Sequence, residues 1–177
     1  MKENNLLKEN LRLIIFSSIM FVTMLFATLC FASTRLEVAN ERCEQRKEEI
    51  IKILTEEGVR NPEFYYYLAL AESTCQDDVV SHAGAKSMWQ MMPWLIKNND
   101  VTDWKNMTKI AGEYISSIQK RIPKSSDWLV VASWNTGLHN LQKRCGKIPT
   151  EICVRNKYPQ AAELADKTFQ WHKMESK

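Results

Sequence analysis

Glycine and proline are scarce, five of each in 177 residues, which excludes collagen-like and low-complexity architectures. No Cys-x-x-Cys pair and no His-Glu-x-x-His is present. The three histidines, His82, His139 and His172, lack ligand spacing, so neither a metal nor a cofactor is expected. The net charge is only +3, from 24 basic and 21 acidic residues, with no long basic run. That balance excludes a nucleic-acid binder. Internal repeats and long linkers are missing too, so at 177 residues the chain holds one domain and a short extra at most.

The one long uncharged run is at the N-terminus. Residues 13–32 read LIIFSSIMFVTMLFATLCFA, preceded by Lys2, Lys8 and Arg12. A basic flank followed by an apolar run partitions into a bilayer with the flank left in the cytoplasm, the pattern of an export signal. Cleavage near Ala32 would release the rest. Twenty apolar residues are also long enough to remain as a membrane anchor. A lipid-modified Cys30 is the third alternative, disfavoured because Leu29 is not small. Residues 1–32 are therefore expected to be a signal peptide or anchor, the only membrane-directed segment, and residues 34–177 an exported domain. The leader carries three basic and two acidic residues, leaving a nearly neutral 21 against 19.

Four cysteines follow the leader: Cys43, Cys75, Cys145 and Cys153. An even count in an oxidising compartment favours two disulfides, and four cysteines allow three pairings. Cys145–Cys153, closing a short loop, and Cys43–Cys75 are the favoured pair; buried free thiols are the alternative. The hydrophobic spacing is mostly helical, with 76–85 polar and turn-like. It predicts helices over 41–57, ended by Gly58, and over 62–73, with Asn61 as cap and Pro62 in the first turn. Further helices are expected over 86–92, stopped by Pro93, over 107–120, and over 127–134, capped by Ser125 or Ser126 and broken by Gly137. A last one opens at Tyr158-Pro159. No segment alternates well enough for a strand, so the fold class is all-α.

The chemistry concentrates between 71 and 93. Glu72 lies near the end of the apolar run Tyr65-Tyr66-Tyr67-Leu68-Ala69-Leu70-Ala71. Desolvation there favours the neutral acid, the form that protonates a leaving oxygen. Glu72-Ser73 is followed by Ser81-His82-Ala83-Gly84-Ala85 and by Ser87-Met88-Trp89-Gln90-Met91-Met92-Pro93, with Glu72, Ser81 and Gln90 nine residues apart in each step. This segment resembles the glutamate-serine motif of the lytic transglycosylases. A second block, 127–137, ending Trp134-Asn135-Thr136-Gly137, is similar to that family's Ala-Tyr-Asn-Ala-Gly motif and the helix before it. The resemblance covers 61–141, and the run 61–70 with Trp89-Gln90 most resembles the membrane-bound lytic transglycosylase D subgroup. Ser87 stands where the family usually has Gly, Trp134 where it has Tyr, and Thr136 where it has Ala.

The resemblance implies a goose-lysozyme-like helical fold and cleavage of the β-1,4 bond between N-acetylmuramic acid and N-acetylglucosamine, leaving 1,6-anhydromuramyl ends. It makes Glu72 the catalytic acid and base, and Ser81, Gln90, Asn135 and Trp134 the residues lining the glycan cleft or holding its loops. Trp89 and Trp94 are further candidates for stacking on sugars. Ser73 is expected to order the turn after Glu72. Tyr158 and Phe169 are candidates for the family's cleft tyrosine in the last helix. Asp77 and Asp78 read as solvated, and Lys143, Arg144 and Lys147 as a solvated basic patch that favours anionic wall polymers. The partners implied are peptidoglycan glycan strands, and a cell-envelope secretion or conjugation complex for which such compact exported enzymes open the wall. The location implied is the periplasm or the outer face of a bacterial membrane. A hydrolytic lysozyme on the same fold, or a wall-binding module with impaired catalysis, are the alternatives.

Overall fold

A computed structural model describes residues 41–123 and 126–175. The expected leader, residues 1–32, and the start of the exported domain at 34 lie outside them. Among the described residues no helix is long and apolar enough to cross a membrane. The order of helices is α1 (Lys47–Glu56), α2 (Pro62–Ser73), α3 (Pro93–Ile96), α4 (Trp104–Arg121), α5 (Asp127–Thr136), α6 (Leu138–Cys145), α7 (Glu151–Lys157) and α8 (Pro159–Glu175). No strand occurs among the described residues; the only ladder-like pairing is in isolated bridges, Val80 to Lys86 and Lys86 to Met91. The fold is all-α.

Two helices make the centre. In α2 the stretch from Phe64 to Ala71 is buried on every side, and in α5 so is the stretch from Trp128 to Trp134. A helix apolar all round can only be stable when surrounded. α8 packs against both, while α1 and α4 pack on each other and α1 also reaches α2. Polar atoms at the start of α2 and α5 are joined to the end of α4. The Tyr65 hydroxyl donates to Asp127 Oδ1 at 2.8 Å and accepts from Gln119 Nε2 at 3.1 Å. Asn61 Nδ2 donates to Asp127 Oδ2 at 3.0 Å. Asn61 thus stands at the N-cap of α2, as expected, but its side chain ties two helices together instead of capping one.

Several expected boundaries move. The helix expected over 41–57 is broken at 45–46, so that α1 begins at Lys47. The break lets Cys43 turn inward to bond Cys75. Residues 86–92 do not form a helix. Ser87 (φ 68°) and Gln90 (φ 47°) adopt left-handed backbone, and Pro93 starts α3 instead of ending a helix before it. Proline fits the first turn because its missing N–H would have no partner there. α4 starts at Trp104, where the Asp103 side chain accepts from Asn106 N. Ser126 caps α5 by accepting from Leu129 N, and Gly137 (φ 84°) ends it. α6 and α7 were not anticipated from sequence.

Two disulfides hold the peripheral pieces: Cys43–Cys75 and Cys145–Cys153, with Cα atoms 5.4 and 5.7 Å apart. These are the pairings the spacing favours. The first fastens the segment before α1 to the turn after α2. The second links the end of α6 to α7. Asp77, expected to be solvated, is instead gripped by Arg46 through two bonds of 2.7 and 2.9 Å. The ion pair lies one turn from the Cys43–Cys75 bridge and reinforces the same junction.

Candidate active site

The site is built at the C-terminal end of α2, where the chain leaves the core through a strained turn. Thr74 and Cys75 both have left-handed backbone, with φ of 54° and 56°. Such a conformation costs about 1–2 kcal/mol per non-glycine residue. The turn is held from outside by the Cys75 disulfide, by the Arg46–Asp77 pair and by Ser73. The Ser73 hydroxyl donates to the Met88 carbonyl at 2.7 Å and accepts from Gln76 N at 3.2 Å. Ser73 therefore couples the end of α2 to the loop that faces it.

That loop, 79–92, closes one side of a cleft of about 310 Å³ lined by Glu72, Ser81, Gln90, Trp94, Tyr114, Trp134, Asn135 and Gln160, among others. The loop keeps its shape through its own side chains. Ser81 Oγ accepts from Ala85 N at 3.0 Å, while Gln90 Nε2 donates to the Ser87 and Val79 carbonyls at 2.9 and 3.3 Å. Asn135, on the exposed face of α5, has no side-chain hydrogen bond among the described residues and is available to the cleft.

Glu72 is the one carboxylate among the described residues lining the cleft. Burial pushes its carboxyl from the ordinary 4.5 up to about 7. Two weaker effects oppose burial: the Trp134 N–H, which donates to Glu72 Oε1 at 3.0 Å, and the positive charge of Lys167. Lys167, on α8, is itself held by donating to the Ala71 carbonyl. A carboxyl titrating near neutrality can give up a proton and take one back at physiological pH. Tyr114, across the cleft on α4, has its hydroxyl pKa raised by burial.

The five residues singled out from sequence, Glu72, Ser81, Gln90, Trp134 and Asn135, all line this one cleft. Three aromatic candidates do not. Trp89 is fully buried beneath it, its indole N–H donating to Thr108 Oγ1 at 3.1 Å, so no sugar can reach it. Tyr158 spends its hydroxyl on the Asn140 carbonyl at 2.9 Å. Phe169 packs on Phe64 with ring centres 4.7 Å apart. The last helix contributes Gln160 to the cleft, and α4 contributes Tyr114. Sequence reading passed over both: Gln160 carries no pattern, and Tyr114 reads simply as one more apolar position of an amphipathic helix. Trp94 is 63% exposed at the rim, edge-on to Tyr114 at 6.0 Å. Among the described residues no group of three or more His, Cys, Asp or Glu is placed to hold a metal ion.

No curated protein and no solved structure gives a significant match to the chain. The family model described as the transglycosylase SLT domain matches residues 49–150, more than half of the sequence and more than the 61–141 of the motif resemblance. The match takes in all but the first two residues of α1, both motif blocks and the whole of α6. The chain belongs to the transglycosylase SLT domain family, whose members are lytic transglycosylases that act on peptidoglycan outside the cytoplasm.

Proposed function

We propose that this protein is a peptidoglycan lytic transglycosylase in which Glu72 serves alone as acid and base. The observation that carries the reading is the desolvated Glu72 carboxyl, the one carboxyl lining the cleft among the described residues, raised to about 7. Protonated Glu72 gives its proton to the glycosidic oxygen, and the bond from that oxygen to C1 of the muramyl residue breaks. The carboxylate then takes a proton from the C6 hydroxyl of the same sugar. O6 closes on C1, leaving a 1,6-anhydro end, and Glu72 is protonated again. No water enters the balance, so one carboxyl is enough, whereas ordinary glycosidases need two. No second carboxylate lines the cleft among the described residues, which counts against a hydrolytic lysozyme.

The remaining cleft residues bind and orient. Trp94 offers an exposed indole face for a sugar ring. Asn135 has its side-chain amide free for the acetamido or hydroxyl groups of the glycan. Ser81 and Gln90 keep the loop in place and retain an O–H donor and a carbonyl acceptor, respectively, for substrate. Acid–base catalysis by one residue contributes roughly 10²–10⁴-fold, and the rest comes from this positioning. The two disulfides fit an oxidising compartment such as the periplasm. The cellular role is remodelling of the wall or its local opening for a secretion or conjugation machine. Release of soluble fragments from purified peptidoglycan tests the assignment. Glu72→Gln, still folded, is expected to lose at least about 10²-fold in rate; undiminished release would end the proposal.

A further inference from the structure

Trp134 departs from the tyrosine usual at its position in the motif, and the structure gives the departure a chemical consequence. The side chain is 8% exposed. Trp89 and Tyr114 hold its ring from two sides, with centres 6.2 and 5.6 Å away. Its orientation is therefore fixed, and its N–H is aimed at Glu72 Oε1 from 3.0 Å.

An indole N–H donates and cannot accept. The carbonyl oxygen of a carboxylic acid is a better acceptor than its hydroxyl oxygen, so the bond from Trp134 favours Oε1 as the carbonyl and places the acid proton on Oε2. Among the described residues every buried side-chain nitrogen or oxygen has a hydrogen-bond partner. Oε2 has none, so it is open to the cleft. A tyrosine hydroxyl, able both to donate and to accept, would not enforce this choice.

We propose that Trp134 is a positioning residue for Glu72: its N–H fixes Oε1 as an acceptor and presents Oε2 to the glycosidic bond as the oxygen that carries the proton. The proposal rests on the reading of Glu72 as acid and base. Once the proton has left, the same N–H stabilises the carboxylate, because hydrogen bonds to ions are stronger than neutral ones. The other groups facing Glu72 are few. Lys167 on α8 favours the carboxylate, and Tyr114 on α4 is the other titratable side chain at the cleft. The loop 79–92 and α3 add no charged side chain to its lining.

Two variants of the full chain test this. Trp134→Phe keeps an aromatic ring and removes the donor. Replacing Trp134 by its benzothiophene analogue removes the N–H alone and preserves the shape, which covers the case that phenylalanine disturbs folding. The readouts are the titration of the Glu72 carboxyl by carbon-detected NMR and the pH profile of kcat on peptidoglycan. With the donor gone, the Glu72 midpoint is expected to rise by about one pH unit. Because the reactive form is the protonated acid, the alkaline fall in rate moves up with it. kcat drops about tenfold while KM stays within about twofold. An unmoved midpoint and profile in both variants overturn the proposal, even if Glu72→Gln is inactive and the reading of Glu72 stands. A shifted midpoint together with full turnover by Glu72→Gln also overturns it, through failure of the reading of Glu72 on which it rests.

Discussion

Glu72 has a thermodynamic signature separate from its chemistry. Its carboxyl is raised from 4.5 to about 7 chiefly by burial. In the window between these values the native state binds a proton that the unfolded chain has released, so stability falls as pH rises from 4.5 to 7. Below 4.5 both states are protonated and Glu72 costs nothing. Above 7 the full penalty of burying a charge is present, about 3 kcal/mol at 1.36 kcal/mol per unit. Glu72→Gln keeps the shape and can still accept from Trp134, while removing the charge. The variant is therefore expected to be inactive yet more stable at pH 8, by about 1–3 kcal/mol, with the gain vanishing near pH 4. Urea unfolding of both proteins at pH 4, 6 and 8 measures the difference directly, provided that m is unchanged. A gain that does not depend on pH, or a loss at pH 8, would refute the claim that Glu72 is held as a buried acid.

Other consequences concern the frame around it. In the chain-entropy account, removing Cys43–Cys75, with 32 residues of separation, costs about 3.7 kcal/mol, and removing Cys145–Cys153, with 8, about 2.5 kcal/mol. The paired Cys→Ser variants should show that order in urea midpoints. Turnover at low temperature should fall only when Cys43–Cys75 is lost, because Cys75 fixes the left-handed turn three residues after Glu72; equal effects on turnover would contradict this. Trp94→Ala should leave stability nearly unchanged and raise KM about fivefold, the worth of about 1 kcal/mol of ring contact. Trp89→Ala, by contrast, should cost roughly 3–5 kcal/mol; a mild Trp89 variant would mean that the indole is not in the core.

The helices that could be read from sequence are those whose burial is written in composition. α2 and α5 are apolar on every face, α1 and α4 show apolar residues at helical spacing, and α8 opens with a proline. α6 and α7 have 8 and 7 residues and carry mostly polar side chains. α6 rests on α5 and α7 on α8, and the Cys145–Cys153 bridge links the two; none of these contacts is written in the apolar spacing of either segment. The segment 86–92 misled because Pro93 both follows good helix formers and is a good first residue of α3. What decides is the left-handed backbone of Ser87 and Gln90, set by the loop's own hydrogen bonds. The site was legible as a spacing, nine residues and nine, plus one distant block. The role of the Trp134 N–H was not, because it depends on two residues 62 apart meeting at 3.0 Å. Where the resemblance points to a tyrosine in the last helix, Gln160 lines the cleft instead.

The most direct test of the central claim is the mass of the muropeptides released from peptidoglycan by the full chain. A single acid and base using the sugar's own C6 hydroxyl predicts products one water lighter than reducing muropeptides, and none with Glu72→Gln. Reducing ends would contradict it, since they mean that water and not the C6 hydroxyl attacked C1, a role for which no second carboxyl lines the cleft among the described residues.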